Sequence, residues 1–279
     1  MSDLNYRVPG PLGLHVMKRS GFWLPGSAPL PAPKKPTFKS VAFPHISPDN
    51  FYSSLVDRKT KPEKMHQRKT GLCLSTAFMY ILAKKRPTAY WDYAFTMFER
   101  GESQIGALSI RAGTDCKNIR LSQGLEKSMN EADWVAIASF RDSKNWFWDV
   151  DDEDEDDHAS GTQGELLDWF TECRLFPKAF GKECTGIRNA GVTEKLIDQA
   201  SALKKEGYEL AVRINADLLQ GLFGGGEKEP NHRVVLESEF EIHGEWAQFN
   251  MFSWGEVKNY VVPTIELTRN FFGFVAVHP

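Results

Sequence analysis

The spacing of apolar residues divides the chain into a helical first part and a strand-rich last part. An almost continuous apolar segment over 73–83 is about three turns long, which predicts a buried helix. Pro87 opens a second helical pattern that ends at Gly101, a residue type preferred just after a helix C-terminus. Further helices are predicted over 51–55, 131–140, 162–173 and 192–205.

Strand patterns are concentrated after Tyr208. Short runs rich in β-branched and aromatic residues predict strands over 208–214, 232–236, 245–255 and 272–278. Helices followed by strands favour an α+β domain with an antiparallel sheet. In this prediction the helical part covers about 46–205 and the strand-rich part about 206–279.

Residues 1–45 are predicted to form a proline-rich arm outside this domain. Prolines at 9, 11, 25, 29, 31, 33 and 36 exclude long helices and central strands, because proline lacks a backbone N–H and fixes φ. Two interpretations stay open: an extended arm that lies on the body or on a partner, and a tail without fixed structure.

Composition excludes several classes of partner. A net charge of −3 over 279 residues gives no electrostatic basis for binding nucleic acid or an anionic membrane surface. No apolar run approaches the roughly 18 residues of a membrane span, and the first residues do not have the pattern of a secretory signal peptide. We therefore expect no nucleic-acid partner and no membrane partner.

The sequence also argues against a cofactor. The cysteines are widely spaced, so zinc ligation is not expected, although a Cys173–Cys184 disulfide stays open as an alternative to reduced thiols. The acidic run 149–158 lacks the glycine and the terminal glutamate of an EF-hand loop, which favours a solvated loop over a calcium site. The glycine-rich stretch 218–226 lacks the Lys-Ser/Thr of a phosphate-binding loop, and its place before His232 suits the rim of an active site.

Cys73 is the candidate nucleophile. It stands on the first turn of the predicted 73–83 helix, where backbone N–H groups and the helix dipole favour negative charge. A thiol in that position loses its proton more easily and becomes a better nucleophile. The alternative interpretation is a small core cysteine, since cysteines outside disulfides are commonly buried.

A catalytic thiol needs a general base, and the candidate is His232. His232 stands at the start of a strand-like run. The next predicted strand carries Asn250, with Gln248 as the alternate, and an amide there is expected to orient the imidazole. We expect Cys73 and His232 to lie within hydrogen-bond reach. The alternative interpretation is a histidine with satisfied hydrogen bonds at a strand end.

Together these residues carry a resemblance. A cysteine heading a central helix, a histidine strand much later and a strand ending in Ser253-Trp254-Gly255 resemble the papain-like cysteine hydrolases. Gln67 stands six positions before Cys73, where papain-type enzymes place a glutamine that donates to the oxyanion. The chain departs from that pattern at Phe252, where papain has its orienting asparagine, and at Leu74, where a smaller residue is expected.

The segments 67–83 and 87–90 also resemble those of bacterial effector toxins with a papain-like fold, delivered by type VI-type secretion. The likeness covers most of the chain after about residue 45. It implies a papain-like fold, with the Cys73 helix packed on the C-terminal antiparallel sheet. It also implies thiol attack on an amide bond, as in a peptidase or amidase, with no cofactor.

The resemblance further implies partners and a location. A toxin needs a cognate immunity protein, a secretion carrier or spike protein, and a protein or peptidoglycan substrate. It would be made in the bacterial cytoplasm and delivered without a signal peptide into the cytosol or periplasm of a target cell. Two alternatives stay open: a deamidase or acyl transferase on the same Cys73–His232 pair, and a non-enzymatic effector or adaptor on a papain-like scaffold.

Overall fold

The computed structural model describes residues 39–67, 71–121, 129–144, 175–181, 184–188, 193–225 and 228–278. The chain divides into two units, residues 1–35 and 36–279. Every described residue belongs to the second unit.

The helical part comes first along the chain. Its helices are α1 (Pro48–Thr60), α2 (Cys73–Lys85), α3 (Pro87–Arg100), α4 (Thr114–Asn118) and α5, in which Glu131–Asp133 and Ser139–Lys144 are joined by the π-helical turn Trp134–Ala138. A 3-10 helix (Pro62–Lys64) links α1 to α2, and the hairpin of β1 (Glu102–Ile105) and β2 (Leu108–Arg111) follows α3. Residues 175–180 are also helical and form α6.

The strand-rich part forms one antiparallel sheet. Its strands are β3 (Cys184–Arg188), β4 (Glu209–Ile214), β5 (His232–Leu236), β6 (Glu241–His243), β7 (Trp246–Ser253), β8 (Glu256–Pro263) and β9 (Phe271–Val277). The strand order is β3-β9-β4-β5-β7-β6, and β8 pairs with the opposite side of β7. Its helices are α7 (Thr193–Lys205), α8 (Asp217–Gln220) and α9 (Thr264–Asn270).

Helices cover both faces of the sheet. Helix α2 is apolar on nearly all sides and lies between the other helices and one face, in a core shared with Val235 and Phe252. Helices α7 and α9 cover the opposite face, in a core with Val234, Leu236 and Met251. The predicted α+β class with an antiparallel sheet is confirmed for the described residues.

Two residues, Tyr80 and Lys84, set how α2 lies on the sheet. The ring of Tyr80 stacks on Phe252 of β7, with centroids 3.7 Å apart, and its hydroxyl donates to Glu237 just after β5. One turn further along α2, Lys84 Nζ lies 2.7 Å from a carboxylate oxygen of Glu237. Helix α2 and strand β5 therefore run in the same direction, and Cys73 lies at the end of the sheet where β5 begins.

The structure confirms several predicted boundaries and corrects others. The helices that begin at Cys73 and Pro87 start at those residues, and His232 opens its strand. The stretch 106–120 lacks clear periodicity in the sequence and was therefore expected to be irregular. It contains strand β2 of the hairpin and helix α4. Strands β6 and β8 and helix α9 were not predicted, because short amphipathic elements leave little periodic signal.

The predicted arm extends too far into the chain. Ser40 and Phe43 are buried, and the Ser40 hydroxyl donates to the carbonyl of Phe98 at the end of α3. The folded body therefore includes residues that the prediction assigned to the arm. The predicted helix over 162–173, the acidic run 149–158 and a Cys173–Cys184 pair lie outside the described residues.

Candidate functional site

His232 is the first residue of β5, and its ring is held on two sides. Its Nε2 atom lies 2.8 Å from Ser253 Oγ in a buried hydrogen bond. The indole of Trp254 stacks on the imidazole, with centroids 4.7 Å apart and ring planes 13° from parallel. A hydrogen bond to one nitrogen and a stacked face together fix the ring orientation and favour one tautomer.

Trp254 and Gly255 form the two-residue turn between β7 and β8, closed by the pair Ser253–Glu256. Both turn residues have positive φ, 48° and 83°, as a type I′ hairpin turn requires. Among the described residues, Trp254 is the one non-glycine residue with positive φ. Such a conformation costs about 1–3 kcal/mol and is kept where the surroundings enforce it. Here it holds the indole over His232.

Cys73 begins α2, is partly exposed and takes part in no disulfide. Leu72 at the N-cap position supplies no side-chain hydrogen bond to the first turn. The N–H groups of this turn therefore have no cap from that residue, and with the helix dipole they favour negative charge at the helix start.

Cys73 and His232 lie at the same height along the sheet. Tyr80 of α2 stacks on Phe252, which is the partner of Val235 in β5. Seven residues of helix lead back from Tyr80 to Cys73, about 10 Å. Three residues of strand lead back from Val235 to His232, also about 10 Å. The beginnings of α2 and β5 are therefore level at one end of the sheet.

Side-chain alternation limits how the two groups can approach each other. Val235 packs in the core beneath α2, whereas Val234 packs in the core on the opposite face. His232 shares the face of Val234, so a contact with Cys73 has to be made past the end of the strand. His232 is suited to this, because no residue of β5 precedes it.

Gln67 is buried, and its neighbour His66 is tied to both parts of the fold. The His66 backbone N–H donates to Asp133 Oδ2 over 3.1 Å, and Arg58 donates to both oxygens of Asp133 over 2.8 and 2.9 Å. The ring of His66 packs on Gly255, where an added β-carbon would lie 2.7 Å from His66 Cδ2. The segment that carries Gln67 is therefore held beside the turn that stacks on the imidazole.

Burial by itself lowers the pKa of the Arg58 guanidinium, but the hydrogen bonds and the charge of Asp133 raise it above its ordinary value. The ion pair therefore stays charged across the physiological pH range. Asp133 is one per cent exposed, and a buried carboxylate of this kind needs its partner. The pair is a fixed brace between α1, α5 and the segment that enters α2.

The prediction that Asn250 or Gln248 orients the imidazole is corrected by the structure, because both amides lie away from His232. Asn250 accepts a hydrogen bond from Asn259 Nδ2 over 2.9 Å, and its carbonyl accepts from the backbone N–H of Glu237. Glu237 follows His232 by five residues, which is about 16 Å along a strand. Gln248 lies further away still, because it pairs with Glu241. The group on the imidazole is instead the hydroxyl of Ser253.

The sequence interpretation missed Ser253 because it treated this residue as part of a motif and not as a hydrogen-bond partner. The usable signal was its position directly before the Trp-Gly turn, beside the strand of His232.

The sequence interpretation also missed a pair of buried arginines. Arg213 and Arg233 are cross-strand partners, and alternation places both on the face that α2 covers. They add positive charge to that face at the His232 end.

A cavity of about 460 Å³ opens elsewhere, in the helical part. His45, Asn50, Arg120 and Glu131 supply its polar lining, and none of the candidate site residues lines it. The candidate site therefore rests on the arrangement of side chains around His232 and not on this cavity.

Within the described ranges, no cluster of His, Cys, Asp and Glu side chains is suited to hold a metal ion. In the same ranges, no helix has the length and apolar character needed to cross a membrane.

Comparison with known proteins returns no match: no family model, no curated protein and no solved structure is significantly similar to this chain.

Proposed function

We propose that the protein is a papain-like cysteine hydrolase that attacks an amide bond, as a peptidase or amidase. Cys73 is the nucleophile, His232 the general base, and Ser253 takes the orienting role that papain gives to an asparagine. The observation that carries the proposal is the held imidazole of His232, level with a cysteine at a helix start. A central helix packed on an antiparallel sheet is consistent with the papain-like part of the proposal.

The bond from His232 to Ser253 suits a general base. When Nε2–H donates to Ser253 Oγ, the lone pair of the imidazole lies on Nδ1. Nδ1 is then the atom that takes the proton of the Cys73 thiol. The stacked indole keeps the ring in place during this transfer and reduces the access of water to it.

The reaction runs in two halves. The Cys73 sulfur bonds to the amide carbonyl carbon while its proton passes to His232, and the carbonyl oxygen becomes an oxyanion. His232 returns the proton to the leaving nitrogen as the C–N bond breaks, which leaves a thioester on Cys73. A water molecule, deprotonated by His232, then attacks the thioester, releases the carboxylic acid and restores the thiol.

The oxyanion needs two donors. The backbone N–H of Cys73 points out of the start of α2, and the side chain of Gln67 is the second donor. Support for Gln67 comes from its neighbour His66, which packs against the turn beside His232. Leu74, where a smaller residue is expected, is buried.

Labelling with iodoacetamide tests the proposal without a known substrate. The rate of carbamidomethylation is followed by peptide mass mapping from pH 5 to 9, with buried Cys116 as the internal control. Cys73 is expected to react at pH 6 at least tenfold faster than a simple thiol with a pKa near 8.5. His232→Ala should reduce this rate and move its pH dependence towards that of a simple thiol. A Cys73 that reacts no faster than glutathione would favour the non-enzymatic adaptor.

We also propose that the protein is delivered as a bacterial effector toxin and has a cognate immunity protein. This part rests on the resemblance of the sequence alone. Wild type and Cys73→Ala are expressed in a bacterial host, in the cytosol and in the periplasm, and growth is followed. Arrest by the wild type alone, in either compartment, is expected. Mass spectrometry of host proteins and peptidoglycan from the arrested cells then distinguishes hydrolysis from deamidation or transfer of the acyl group.

A further inference from the structure

The segment between the 3-10 helix and α2 carries Gln67 and has no regular secondary structure of its own. Residues 65–67 belong to neither a helix nor a strand. Met65 and Gln67 are buried, and His66 between them is partly exposed. The position of this segment is therefore not set by a regular ladder of backbone hydrogen bonds, and it depends on contacts with other parts of the fold.

Asp133 supplies one of these contacts from the helical part. Its Oδ2 atom accepts from the backbone N–H of His66 over 3.1 Å and from Arg58 Nη2 over 2.9 Å, and its Oδ1 atom accepts from Arg58 Nε over 2.8 Å. A hydrogen bond from a backbone N–H to a carboxylate is stronger than one to a neutral oxygen. The carboxylate of Asp133 therefore holds the backbone one residue before Gln67.

This carboxylate is itself fixed at the start of α5. The Oδ1 atom of Asn130, the N-cap residue, accepts from the backbone N–H of Asp133 over 2.8 Å. Directly after Asp133, α5 makes the π-helical turn Trp134–Ala138, and all five residues of this turn are buried. Single π-helical turns inside α-helices are frequent at functional sites. The oxygen that His66 bonds to is thus presented from a capped and buried helix start.

The ion pair has one property that apolar residues would lack. Arg58 and Asp133 are 6% and 1% exposed. Moving two charges out of water costs about as much free energy as their attraction returns, so well-packed apolar residues of similar volume often stabilise such a position equally well or better. Apolar residues supply no acceptor for the N–H of His66. What the pair adds at this place is therefore the position of the 65–67 segment.

Both sides of the proposed site depend on where His66 lies. Its ring packs on Gly255, in the turn whose Trp254 stacks on the imidazole of His232. The next residue along the chain is Gln67, the proposed second donor to the oxyanion. A shift of the His66 backbone moves Gln67 with it, and a displacement of about 1 Å in a catalytic group can cost on the order of a hundredfold in rate.

We propose that Asp133 is a positioning residue for the reaction: through the backbone N–H of His66, it holds Gln67 where the Gln67 side chain donates to the oxyanion. This inference deepens the proposed function and rests on it. Asp133 is too deeply buried to contact a substrate. Its contribution is therefore expected in kcat, and not in the reactivity of the Cys73 thiol.

The first test replaces the ion pair in two ways. The apolar variant Arg58→Met/Asp133→Leu removes both charges together and takes the acceptor away from the His66 N–H. The matched variant Arg58→Gln/Asp133→Asn also removes both charges but keeps a carbonyl oxygen at position 133. The kcat and KM for p-nitrophenyl acetate, the rate of Cys73 alkylation by iodoacetamide and the melting temperature are measured for both variants and for wild type.

The apolar variant is expected to lose about 10- to 100-fold in kcat. Its KM, its alkylation rate and its melting temperature should stay close to those of wild type, because the two charges are removed together. The matched variant should keep kcat within about threefold of wild type, since an amide oxygen also accepts from a backbone N–H. Rescue by an acceptor oxygen distinguishes the bond to His66 from a loss of packing.

A double-mutant cycle tests whether the effect passes through Gln67. The apolar variant is combined with Gln67→Glu, which already lacks the N–H donors for the oxyanion. If Asp133 acts through Gln67, the apolar substitutions should reduce kcat far less in this background than in wild type. Equal reductions in the two backgrounds overturn the proposal.

A second pair of variants covers the case in which the apolar variant does not fold. His66→Pro and His66→Ala both lose the ring, and only His66→Pro also loses the N–H that bonds to Asp133. Met65, with ψ of 128°, has the extended backbone that a following proline requires. The kcat of His66→Pro is expected to be about tenfold below that of His66→Ala, and equal values overturn the proposal.

The outcomes separate this inference from the proposed function. If wild type hydrolyses the ester and Cys73 is alkylated rapidly, while the apolar variant keeps its kcat, the positioning role of Asp133 is overturned and the hydrolase stands. A parallel fall of kcat and alkylation rate assigns Asp133 to the fold as a whole, which also overturns the positioning role. Slow alkylation of Cys73 in wild type overturns the hydrolase, and the positioning role falls with it.

Discussion

The ring of His66 packs directly against Gly255, so that a β-carbon at position 255 would lie 2.7 Å from His66 Cδ2. This contact joins the segment before α2 to the turn that holds the indole of Trp254 over His232. Gln67 follows His66, and Asp133 fixes the backbone of His66 from the helical part. The base and one oxyanion donor of the proposed site are thus connected through a single close contact.

Gly255→Ala is expected to damage both stability and activity. The substitution places a β-carbon against the His66 ring, and it also strains a backbone at φ of 83°. We expect the free energy of unfolding to fall by about 2–4 kcal/mol, measured by urea denaturation.

Gly244→Ala is the matched control, because Gly244 also has positive φ in a hairpin turn but a β-carbon there meets nothing within 4 Å. Its cost should be about 1 kcal/mol from backbone strain alone, and Cys73 labelling should be unchanged. Equal costs for both variants would show that the His66 contact is unimportant.

Ser253→Ala should slow turnover of an activated ester by about tenfold to hundredfold, because a buried nitrogen of His232 loses its hydrogen bond. Ser253→Thr keeps a hydroxyl and should recover part of the rate. Asn250→Ala and Gln248→Ala should stay within about twofold of wild type, since both amides bond to Asn259. A larger loss in Asn250→Ala than in Ser253→Ala would restore the amide as the orienting group.

Gln67→Glu tests the oxyanion role, because it keeps the size of the side chain and removes its N–H donors. The kcat for ester turnover should fall by about a hundredfold to a thousandfold. Alkylation of Cys73 by iodoacetamide forms no oxyanion, so its rate should change far less. If alkylation and turnover fall together, Gln67 acts on the thiol or on the fold and not on the oxyanion.

Glu209 links α2 to the sheet and makes stability depend on pH. Burial alone would raise the pKa of Glu209, but the ammonium groups of Lys85, Lys204 and Lys84 lower it below the ordinary value of 4.5. Because the folded pKa is depressed, this stabilisation is fully present above pH 4.5 and is lost as the pH falls through the lower folded value.

Glu209→Gln should therefore cost about 2 kcal/mol of unfolding free energy at pH 7, since it removes the buried carboxylate that pairs with the partly exposed ammonium groups of Lys84, Lys85 and Lys204. The cost should shrink as the pH falls below 4.5 towards the lower folded pKa, where wild-type Glu209 also loses its charge. Urea denaturation at pH 7, 5, 4 and 3 measures this, with exposed Glu241→Gln as the control. A cost that does not depend on pH would assign the effect to packing.

Two deletions test the arm. Removing residues 2–36 is expected to leave the melting temperature and Cys73 labelling unchanged, because a proline-rich arm is predicted to serve delivery or docking. Removing residues 2–46 deletes buried Phe43 and the Ser40 bond to α3, and it should lower the melting temperature by several degrees. A large loss in the shorter deletion would make the arm part of the folded body.

The local pattern of apolar residues was sufficient to locate Cys73 and His232 at the starts of their helix and strand. The apolar run after Cys73 predicts a buried helix that starts at that residue, and the β-branched run after His232 predicts a strand that starts there. Both predictions depend on neighbouring residues only, since periodicity and terminal residues decide where an element begins. The α+β class follows from the order of these elements.

Only the tertiary structure shows which side chain bonds to His232 Nε2. Sequence alternation correctly groups Asn250 with Phe252, but it gives no information on which residue of β7 lies beside His232. The pairing of Val235 with Phe252 sets that register, and the two-residue turn brings Ser253 back to the imidazole. Register and turn geometry depend on packing between distant segments, such as Tyr80 on Phe252, and no local pattern contains that information.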